Sequence, residues 1–166
     1  GLRLWSPSDH TPFIMMNADP KVMEHFPFLM STEQTKAYLK RIQHHFDDYG
    51  FGVYAVDVLD NKEFIGYIGF SCPTWEAYFT PCVEIGWRLK ASSWNKGYAT
   101  EGALACMDYG FNTIGLKSIY SWTATCNLAS ERVMQKIGLK KLDEFDHPRI
   151  KKRHRLERHV LYGRNR

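Results

Sequence analysis

The sequence is poor in the features that mark specialised classes of protein. Its four cysteines form no Cys-x-x-Cys pair, which argues against a zinc site or a redox pair. No apolar run approaches the ~18 residues of a membrane-spanning helix, and no secretory signal is recognisable. Repeats, linkers and low-complexity stretches are missing as well. For a chain of 166 residues we therefore expect one domain, residues 1–166, located in the cytoplasm with reduced cysteines.

Positive charge is present in moderate excess. Hydrophobic residues make up 44% of the chain and charged residues 24%, as in ordinary globular proteins, and the formal net charge is +4. This excess suits an anionic ligand without indicating nucleic acid. The densest basic segment, RIKKRHRLER at residues 149–158, has six Lys or Arg residues and one Glu. We interpret it first as a solvated loop, because it lacks the interleaved aromatic residues that stack on bases; binding to RNA, the ribosome or an acidic acceptor is the alternative.

Helices are predicted in the first third of the chain. Ser31 and Gln34 form a capping-box pattern and Gly50 is a typical stop, so a helix is expected between them. Ser8 is expected to cap a shorter helix before it, and the Asp-Pro pair at residues 19–20 to start another. Helices therefore precede the first long strand.

Strand-like segments rich in aromatic and β-branched residues follow, with two helical segments among the later ones. The predicted strands are residues 2–5, 51–58, 63–71, 82–89, 117–122, 139–145 and 154–162. The predicted later helices are residues 98–114 and 128–137. A meander followed by strand, helix, strand, helix and two strands indicates a mixed α/β sheet, with two helices crossing over late in the chain.

The segment WNKGYATEG, residues 94–102, lies between a predicted strand and a predicted helix. The first backbone N–H groups of a helix lack partners inside it, and with the helix dipole they favour phosphate. Gly97 would let the backbone approach an anion, Ala99 would keep the first turn thin, and Lys96 would add a charge. From these residues alone, a phosphate-binding turn and a plain loop remain equal alternatives.

Two longer blocks around this segment carry a resemblance to a known family. They are VEIGWRLKASSWNKGYATEGALACMDYGF, residues 83–111, and SIYSWTATCNLASERVMQKIGL, residues 118–139. The chain resembles the GCN5-related N-acetyltransferases (GNAT) over nearly its whole length, and within them the RimJ/RimL ribosomal-protein N-terminal acetyltransferases. In the family pattern Gln/Arg-x-x-Gly-x-Gly/Ala, Gly97 and Ala99 match and Trp94 replaces the Gln or Arg. Asn95 replaces the first glycine of the WGKGYA string that is usual in the subgroup.

The resemblance implies a fold and a co-substrate. The fold would be α/β (α+β), with a mixed, mostly antiparallel central sheet split between two strands and flanked by helices on both faces. Acetyl-coenzyme A would lie in the split, and no metal is implied. Its pyrophosphate is expected on the backbone N–H groups of Asn95, Lys96, Gly97, Tyr98, Ala99 and Thr100. Its pantetheine arm would pair with the backbone of Trp87 and Leu89 as an added strand does, and would bond Asn127 at its end.

The resemblance also implies catalytic residues in the second block. Many relatives have a tyrosine one turn after Ser130, but this chain has Met134, which cannot donate a proton. Ser130 is therefore the candidate donor to the leaving thiolate, as in the RimJ/RimL branch. Asn127 and Ser130 share one face of the helix start because they are three residues apart. Taken singly, Asn127 is also an ordinary N-cap and Ser130 an ordinary first-turn residue.

Glu84 is the candidate general base, acting directly or through water, because it lies on the strand beside the expected thioester. The alternative is an exposed or paired strand carboxylate without a catalytic role. The aromatic residues between 75 and 79 and the turn at 146–148 either border the acceptor site or pack against the sheet. His44 and His45 are adjacent on a predicted helix and do not face each other, so no metal site is expected there.

The predicted function is an acetyl-coenzyme A-dependent N-acetyltransferase. It would transfer an acetyl group directly, in a ternary complex, to a primary amine such as a protein N-terminus or a small molecule. A homodimer is compatible with this prediction, whereas membrane attachment and nucleic-acid binding are not expected. The alternative is a catalytically silent protein of the acyl-coenzyme A fold that binds RNA or the ribosome through residues 149–158.

Overall fold

The computed structural model describes residues 1–166 and contains one sheet of seven strands. The elements in chain order are β1 (Leu2–Arg3), α1 (His10–Asn17), α2 (Thr32–Tyr49), β2 (Val53–Asp57), β3 (Phe64–Ser71), β4 (Glu84–Leu89), α3 (Tyr98–Tyr109), β5 (Ser118–Ala124), α4 (Leu128–Lys136), β6 (Lys140–Asp146) and β7 (Arg158–Asn165). The spatial order of the strands is β1-β2-β3-β4-β5-β7-β6. Every neighbouring pair is antiparallel except β4 and β5, which are parallel. The predicted mixed, mostly antiparallel sheet is confirmed.

Helices cover both faces of the sheet. On one face, Ala103 and Met107 of α3 and Met134 of α4 pack with Ile85 and Phe70 in the larger core cluster. On the other face, α1 and α2 pack against β2 and β3 in a second cluster; its members include Phe13, Met16, Leu39, Ile42, Val53, Phe64 and Tyr67. Apolar burial of about 25 cal/mol per Å² drives both layers. The two faces of β4 therefore have different neighbours, α3 and α4 on one side and the α1–α2 layer on the other.

The long helix α2 begins and ends where local chemistry predicts. The Ser31 hydroxyl accepts a hydrogen bond from the Gln34 N–H (3.2 Å), and the Gln34 side chain accepts one from the Ser31 N–H (2.8 Å). Gly50 ends the helix in the left-handed region with φ 74°. A capping box of this kind contributes about 1 kcal/mol.

The start of the first helix differs from the prediction. Ser6, not Ser8, precedes it, and Pro7–Asp9 form a 3-10 turn that leads into α1. The Asp9 carboxylate accepts hydrogen bonds from the Ser6 N–H (2.8 Å) and from the Arg3 guanidinium (2.7 Å). Ser6 and Asp9 thus form a local capping box, with Pro7 at the first helical position, and the ion pair with Arg3 of β1 holds the Asp9 carboxylate in place.

The predicted helix after the Asp-Pro pair is wrong, because residues 20–25 form turns. The Asp19 carboxylate accepts a hydrogen bond from the Lys21 N–H (2.9 Å), and such local bonding competes with a helix. The last strand also begins later than the predicted residue 154. His154 accepts hydrogen bonds from the N–H groups of Leu156 (3.2 Å) and Glu157 (2.9 Å), so the chain turns before Arg158.

The parallel strands β4 and β5 pair at a single position. The one residue pair in register is Glu84 with Tyr120. Beside this pair, the Tyr120 N–H donates a hydrogen bond to the Val83 carbonyl (2.9 Å). The buried Ser121 hydroxyl then donates to the Ile85 carbonyl (2.8 Å), in place of a ladder hydrogen bond from a backbone N–H. Beyond this point the strands diverge, which is the predicted split.

The close packing of β4 against β3 explains why residue 66 of β3 is a glycine. Gly66 has φ 140°, and a Cβ atom there would lie 2.1 Å from the Arg88 carbonyl oxygen. Gly66→Ala is expected to lower the free energy of unfolding by about 2–4 kcal/mol, from backbone strain and overpacking. Gly86→Ala is the matched control, since a Cβ there meets only Glu84 Oε1 at 3.9 Å. Urea denaturation measures both changes, and equal losses would contradict the explanation.

Candidate functional site

The loop before α3 presents a run of free backbone N–H groups. None of the N–H groups of residues 95–100 donates a hydrogen bond within the protein, and the first to do so is that of Glu101, to Gly97 (2.9 Å). Gly97 stands at the N-cap position and supplies no side-chain cap. The other long helices differ, because Ser31 caps α2 and Asn127 caps α4. The start of α3 is therefore an uncapped helix terminus of the kind that binds anions.

The loop conformation keeps this terminus open. Gly97 has φ 84°, and a Cβ atom there would meet nothing within 4 Å. Asn95 also lies in the left-handed region, with φ 61°, which asparagine tolerates better than most residues. Lys96 is exposed beside them. The Trp94 indole N–H donates to the Leu89 carbonyl (2.9 Å) and thereby ties the loop to the end of β4.

The edge of β4 that faces the split contains backbone groups of Trp87 and Leu89. The carbonyls of Val83 and Ile85 point toward β5, so the two-residue alternation places the backbone groups of Trp87 on that same edge. Leu89 lies on this edge too, but its carbonyl already accepts the Trp94 hydrogen bond. An extended ligand lying in the split could pair with Trp87 in full and with the Leu89 N–H.

The helices α3 and α4 start at the same end of the sheet. This is because β4 and β5 are parallel and each leads into its own helix on the same face. Asn127 Oδ1 accepts from the Ser130 N–H (3.3 Å), and Asn127 Nδ2 donates to Thr123 Oγ1 (2.9 Å). Asn127 thus has a structural use at the N-cap. The Ser130 hydroxyl has no partner within the protein, whereas Met134 is 1% exposed and belongs to the core.

Glu84 is the first residue of β4 and its carboxyl group forms no ion pair. Ser71, directly opposite on β3, donates a hydrogen bond to Glu84 Oε2 (3.1 Å). Burial raises the pKa of Glu84 to about 8, and the Ser71 hydrogen bond opposes this rise. The group can therefore take up or release a proton near neutral pH. Glu84 is thus hydrogen-bonded but not ion-paired, and its role as a general base stays a prediction.

Aromatic side chains from the segment between β3 and β4 pack against β5 and β6. Trp75 lies against Trp122 (ring centroids 5.2 Å apart), and Phe79 lies against Phe145 (5.0 Å). In the turn at 146–148, His147 lies 4.8 Å from the Trp75 ring, and burial lowers the pKa of His147 to about 4. Packing is therefore the main role that the structure gives these rings.

The basic segment at 149–158 is partly bonded within the protein. Arg149 donates to Thr74 Oγ1 (2.8 Å), Arg158 pairs with Asp146 (3.2 Å), and Arg155 donates to the Glu24 carbonyl. Half of its six cations thus have partners, and no arrangement specific to RNA is visible. The adjacent histidines also have no shared ligand: His45 Nδ1 bonds the Phe51 carbonyl (2.7 Å). No group of three or more His, Cys, Asp or Glu side chains could hold a metal ion, and no helix is long and apolar enough to cross a membrane.

One buried polar residue near the site was missed by the sequence analysis. Arg88 of β4 is 8% exposed, and it lies on the same strand face as Glu84, four residues earlier. The period-two alternation of EIGWRL shows the shared face. The burial of Arg88 could not be read from sequence, because residues of α1 and of the α1–α2 connection produce it.

Comparisons with known proteins agree with this fold. A family model described as an acetyltransferase (GNAT) domain matches residues 1–140. YkkB of Bacillus subtilis is 32% identical over 129 residues, 78% of this chain and 74% of YkkB. FsC-acetyl coenzyme A-N(2)-transacetylase of Aspergillus fumigatus is 30% identical over 145 residues, 82% of this chain and 61% of that enzyme. A solved GNAT-family acetyltransferase from Bacillus anthracis has a TM-score of 0.81 at 24% identity, covering 99% of this chain and 93% of that one.

The raised pKa of Glu84 predicts a pH-dependent stability. The folded state holds the Glu84 proton from the usual value of 4.5 up to about 8, whereas the unfolded state releases it near 4.5. The stability contributed by this proton is therefore lost as the pH rises through that window. Relative to wild type, Glu84→Gln is expected to gain stability steadily between these pH values and to remain level above them.

Urea denaturation of both proteins at a series of pH values measures this difference. All other ionisable groups are common to both proteins, so their contributions cancel in the comparison. A difference in the free energy of unfolding that does not change with pH would show that the Glu84 carboxyl is ionised throughout.

Proposed function

Since the chain belongs to the GNAT acetyltransferase family, we propose that it transfers an acetyl group from acetyl-coenzyme A to a primary amine. The observation that supports this proposal best is the run of six backbone N–H groups, residues 95–100, that have no partner at the start of α3. A doubly charged pyrophosphate matches such a row of donors at the positive end of a helix dipole. The diverging strands β4 and β5 end beside it.

The residues around the split fit acetyl-coenzyme A. The free N–H groups of residues 95–100 and the Lys96 ammonium would hold the pyrophosphate, and Gly97 leaves space for it. The pantetheine arm would pair with the exposed backbone edge at Trp87 and with the Leu89 N–H. The Asn127 side-chain amide already bonds Thr123 and the Ser130 N–H, so it would have to bind the pantetheine arm in addition to these partners. When bound, the thioester supplies an activated acetyl group.

Glu84 and Ser130 are proposed to move the protons of the reaction. The amine nitrogen forms a bond to the acetyl carbon and the bond from that carbon to sulfur breaks. Glu84 accepts the proton that the amine loses, directly or through water, and a pKa of about 8 suits a base working near neutral pH. The free Ser130 hydroxyl donates a proton or a hydrogen bond to the departing sulfur. Positioning of the two reactants supplies much of the remaining acceleration.

Within the family we propose a RimJ/RimL-like enzyme. Two features support this: Met134 is buried where other relatives have a proton-donating tyrosine, and the Ser130 hydroxyl is free. Both a protein N-terminus and a small amine remain acceptors of the proposed reaction. The RNA-binding alternative has no comparable support, because three of the six cations in the basic segment bond within the protein.

Gly97→Val tests the pyrophosphate site. The added methyl groups would fill the open space above the free N–H groups, so acetyl-coenzyme A affinity is expected to fall at least ~10-fold by calorimetry. Gly115→Val is the matched control, because Gly115 has φ 79° and also meets nothing within 4 Å. Both variants bear similar backbone strain. The site assignment fails if wild type binds no acetyl-coenzyme A, or if both variants lose affinity equally.

Ser130→Ala tests the proton donor. Loss of the hydroxyl is expected to lower kcat by ~10–100-fold while the Kd for acetyl-coenzyme A stays unchanged, because the interaction forms in the transition state. Ser130→Thr should restore part of the rate, since it keeps the hydroxyl. Steady-state kinetics and calorimetry on the three proteins make the comparison. A Ser130→Ala enzyme with the wild-type kcat would exclude this role.

A further inference from the structure

Arg88 is a buried cation for which the protein provides no anion. It is 8% exposed, and no carboxylate of the chain lies within 4.0 Å of its guanidinium group. A buried, unpaired charge costs several kcal/mol, whereas a pair with good hydrogen bonds recovers most of that cost. A buried cation of this kind is therefore a candidate site for a ligand of opposite charge.

The contacts of the guanidinium leave one particular edge without a hydrogen-bond partner. Nη1 donates to Asn17 Oδ1 (2.7 Å) and contacts Met30 Sδ (3.7 Å), and the Phe26 ring covers the flat face with its centroid 3.9 Å away. Nε is buried without a partner, and Nη2 has none in the protein. The Nε–H and Nη2–H bonds point in the same direction, and this edge binds a carboxylate through two parallel hydrogen bonds.

Neighbouring side chains fix the orientation of the Arg88 guanidinium. Asn17 is 0% exposed, and its Nδ2 donates to Thr35 Oγ1 (3.4 Å), so the amide that holds Nη1 is itself held. Tyr67, opposite Arg88 on β3, places its ring 5.5 Å from the guanidinium carbon. A planar cation held in this way loses little side-chain entropy when an anion binds its unpaired edge.

A gap without side chains separates Arg88 from the candidate base. The register pairs Glu84 with Ser71, Gly86 with Gly69, and Arg88 with Tyr67, so a pair of glycines lies between two polar pairs. A Cβ atom on Gly86 would meet only Glu84 Oε1, at 3.9 Å. The Cα atoms of Glu84 and Arg88 are ~13 Å apart along the strand, and their side chains bracket the glycine pair.

Tyr38 of α2 lies beside Tyr67, with the two ring centroids 6.0 Å apart. Burial raises the pKa of Tyr38 well above its usual value, the Tyr67 phenol adds to the rise, and the Arg88 charge opposes it. The Glu84 carboxylate acts on the same phenol. Tyr38 is therefore within electrostatic reach of both ends of the gap.

We propose that the amine acceptor of this enzyme bears a carboxylate, which binds the Nε–Nη2 edge of Arg88 while its amine lies toward Glu84. This inference rests on the proposed acetyl transfer and specifies its substrate class. The glycine pair beneath the acceptor gives it room. A polyamine is a poor acceptor by the same reasoning, because its second cation would meet Arg88. Free amino acids and peptides with an acidic residue both have the required chemistry.

Matched acceptors test the proposal in the wild-type protein. Coenzyme A release is measured with glycine, β-alanine and γ-aminobutyrate, each against its carboxamide, and with C-terminally amidated dipeptides whose second residue is Asp or Asn. The carboxylate member of at least one pair is expected to have a kcat/KM at least ~10-fold higher than its amide, the size of a charge-assisted hydrogen-bond pair. The pair that shows the largest ratio identifies the source as a free amino acid or a peptide. Ratios near one in every pair overturn the proposal.

Arg88→Gln tests the residue itself. The acid-to-amide ratio is expected to fall at least ~10-fold, and Arg88→Lys should give an intermediate ratio because it keeps the charge without the fork. Arg41→Gln, the same change at an exposed arginine of α2, should leave the ratio as in wild type. A structural role would lower kcat/KM for acid and amide alike and would overturn the assignment. If Arg88→Gln does not fold, Gly86→Val is expected to raise the acceptor KM while the Kd for acetyl-coenzyme A is kept.

The two levels of the proposal fail in different ways. A protein that neither binds acetyl-coenzyme A nor releases coenzyme A with any amine overturns the proposed function, and the acceptor class with it. A protein that turns over amines without preferring carboxylates overturns the acceptor class alone. A carboxylate preference that Arg88→Gln abolishes and Arg41→Gln preserves supports both.

Discussion

Two parallel strands that pair at one position and then separate determine the form of the site. β4 and β5 pair with each other only at Glu84 and Tyr120. Unsatisfied backbone groups in a sheet are costly, so an interrupted ladder persists only where other groups take over. Ser121 takes the Ile85 carbonyl and Trp94 takes the Leu89 carbonyl. The remaining backbone edge at Trp87 lies open, beside the two helix termini that follow the strands.

The two helices that start at this end of the sheet differ in their N-terminal capping. Asn127 Oδ1 accepts a hydrogen bond from the Ser130 N–H, which caps the start of α4. The start of α3 has no cap, and its left-handed Gly97 keeps the space above it free. An uncapped terminus is a local loss of about 1 kcal/mol relative to a capped one. A bound phosphate would replace the missing cap with stronger, charge-assisted hydrogen bonds.

Features set by a few neighbouring residues could be predicted from sequence, and features set by distant contacts could not. The capping box of α2 and the strand–loop–helix segment around Gly97 depend on residues within one or two turns. The start of α1 and the turn after Asp19 are exceptions, because each rests on a local bond, Ser6 with Asp9 and Asp19 with Lys21, whose outcome the helix pattern predicted wrongly. Arg88 is an example of the second kind. Its burial comes from residues 17, 26 and 30, which only the folded chain brings to β4.

Burial acts on both polar ends of β4, but the two groups respond differently. Glu84 can lose its charge by binding a proton, and its pKa of about 8 shows that burial favours this neutral form. Arg88 cannot respond in this way, because an arginine stays protonated in proteins. The strand therefore presents a group that can accept a proton at one end and a permanent cation at the other, with glycines between them. A molecule with an amine and a carboxylate complements both ends at once: it delivers a proton where one can be accepted and a negative charge where one is missing.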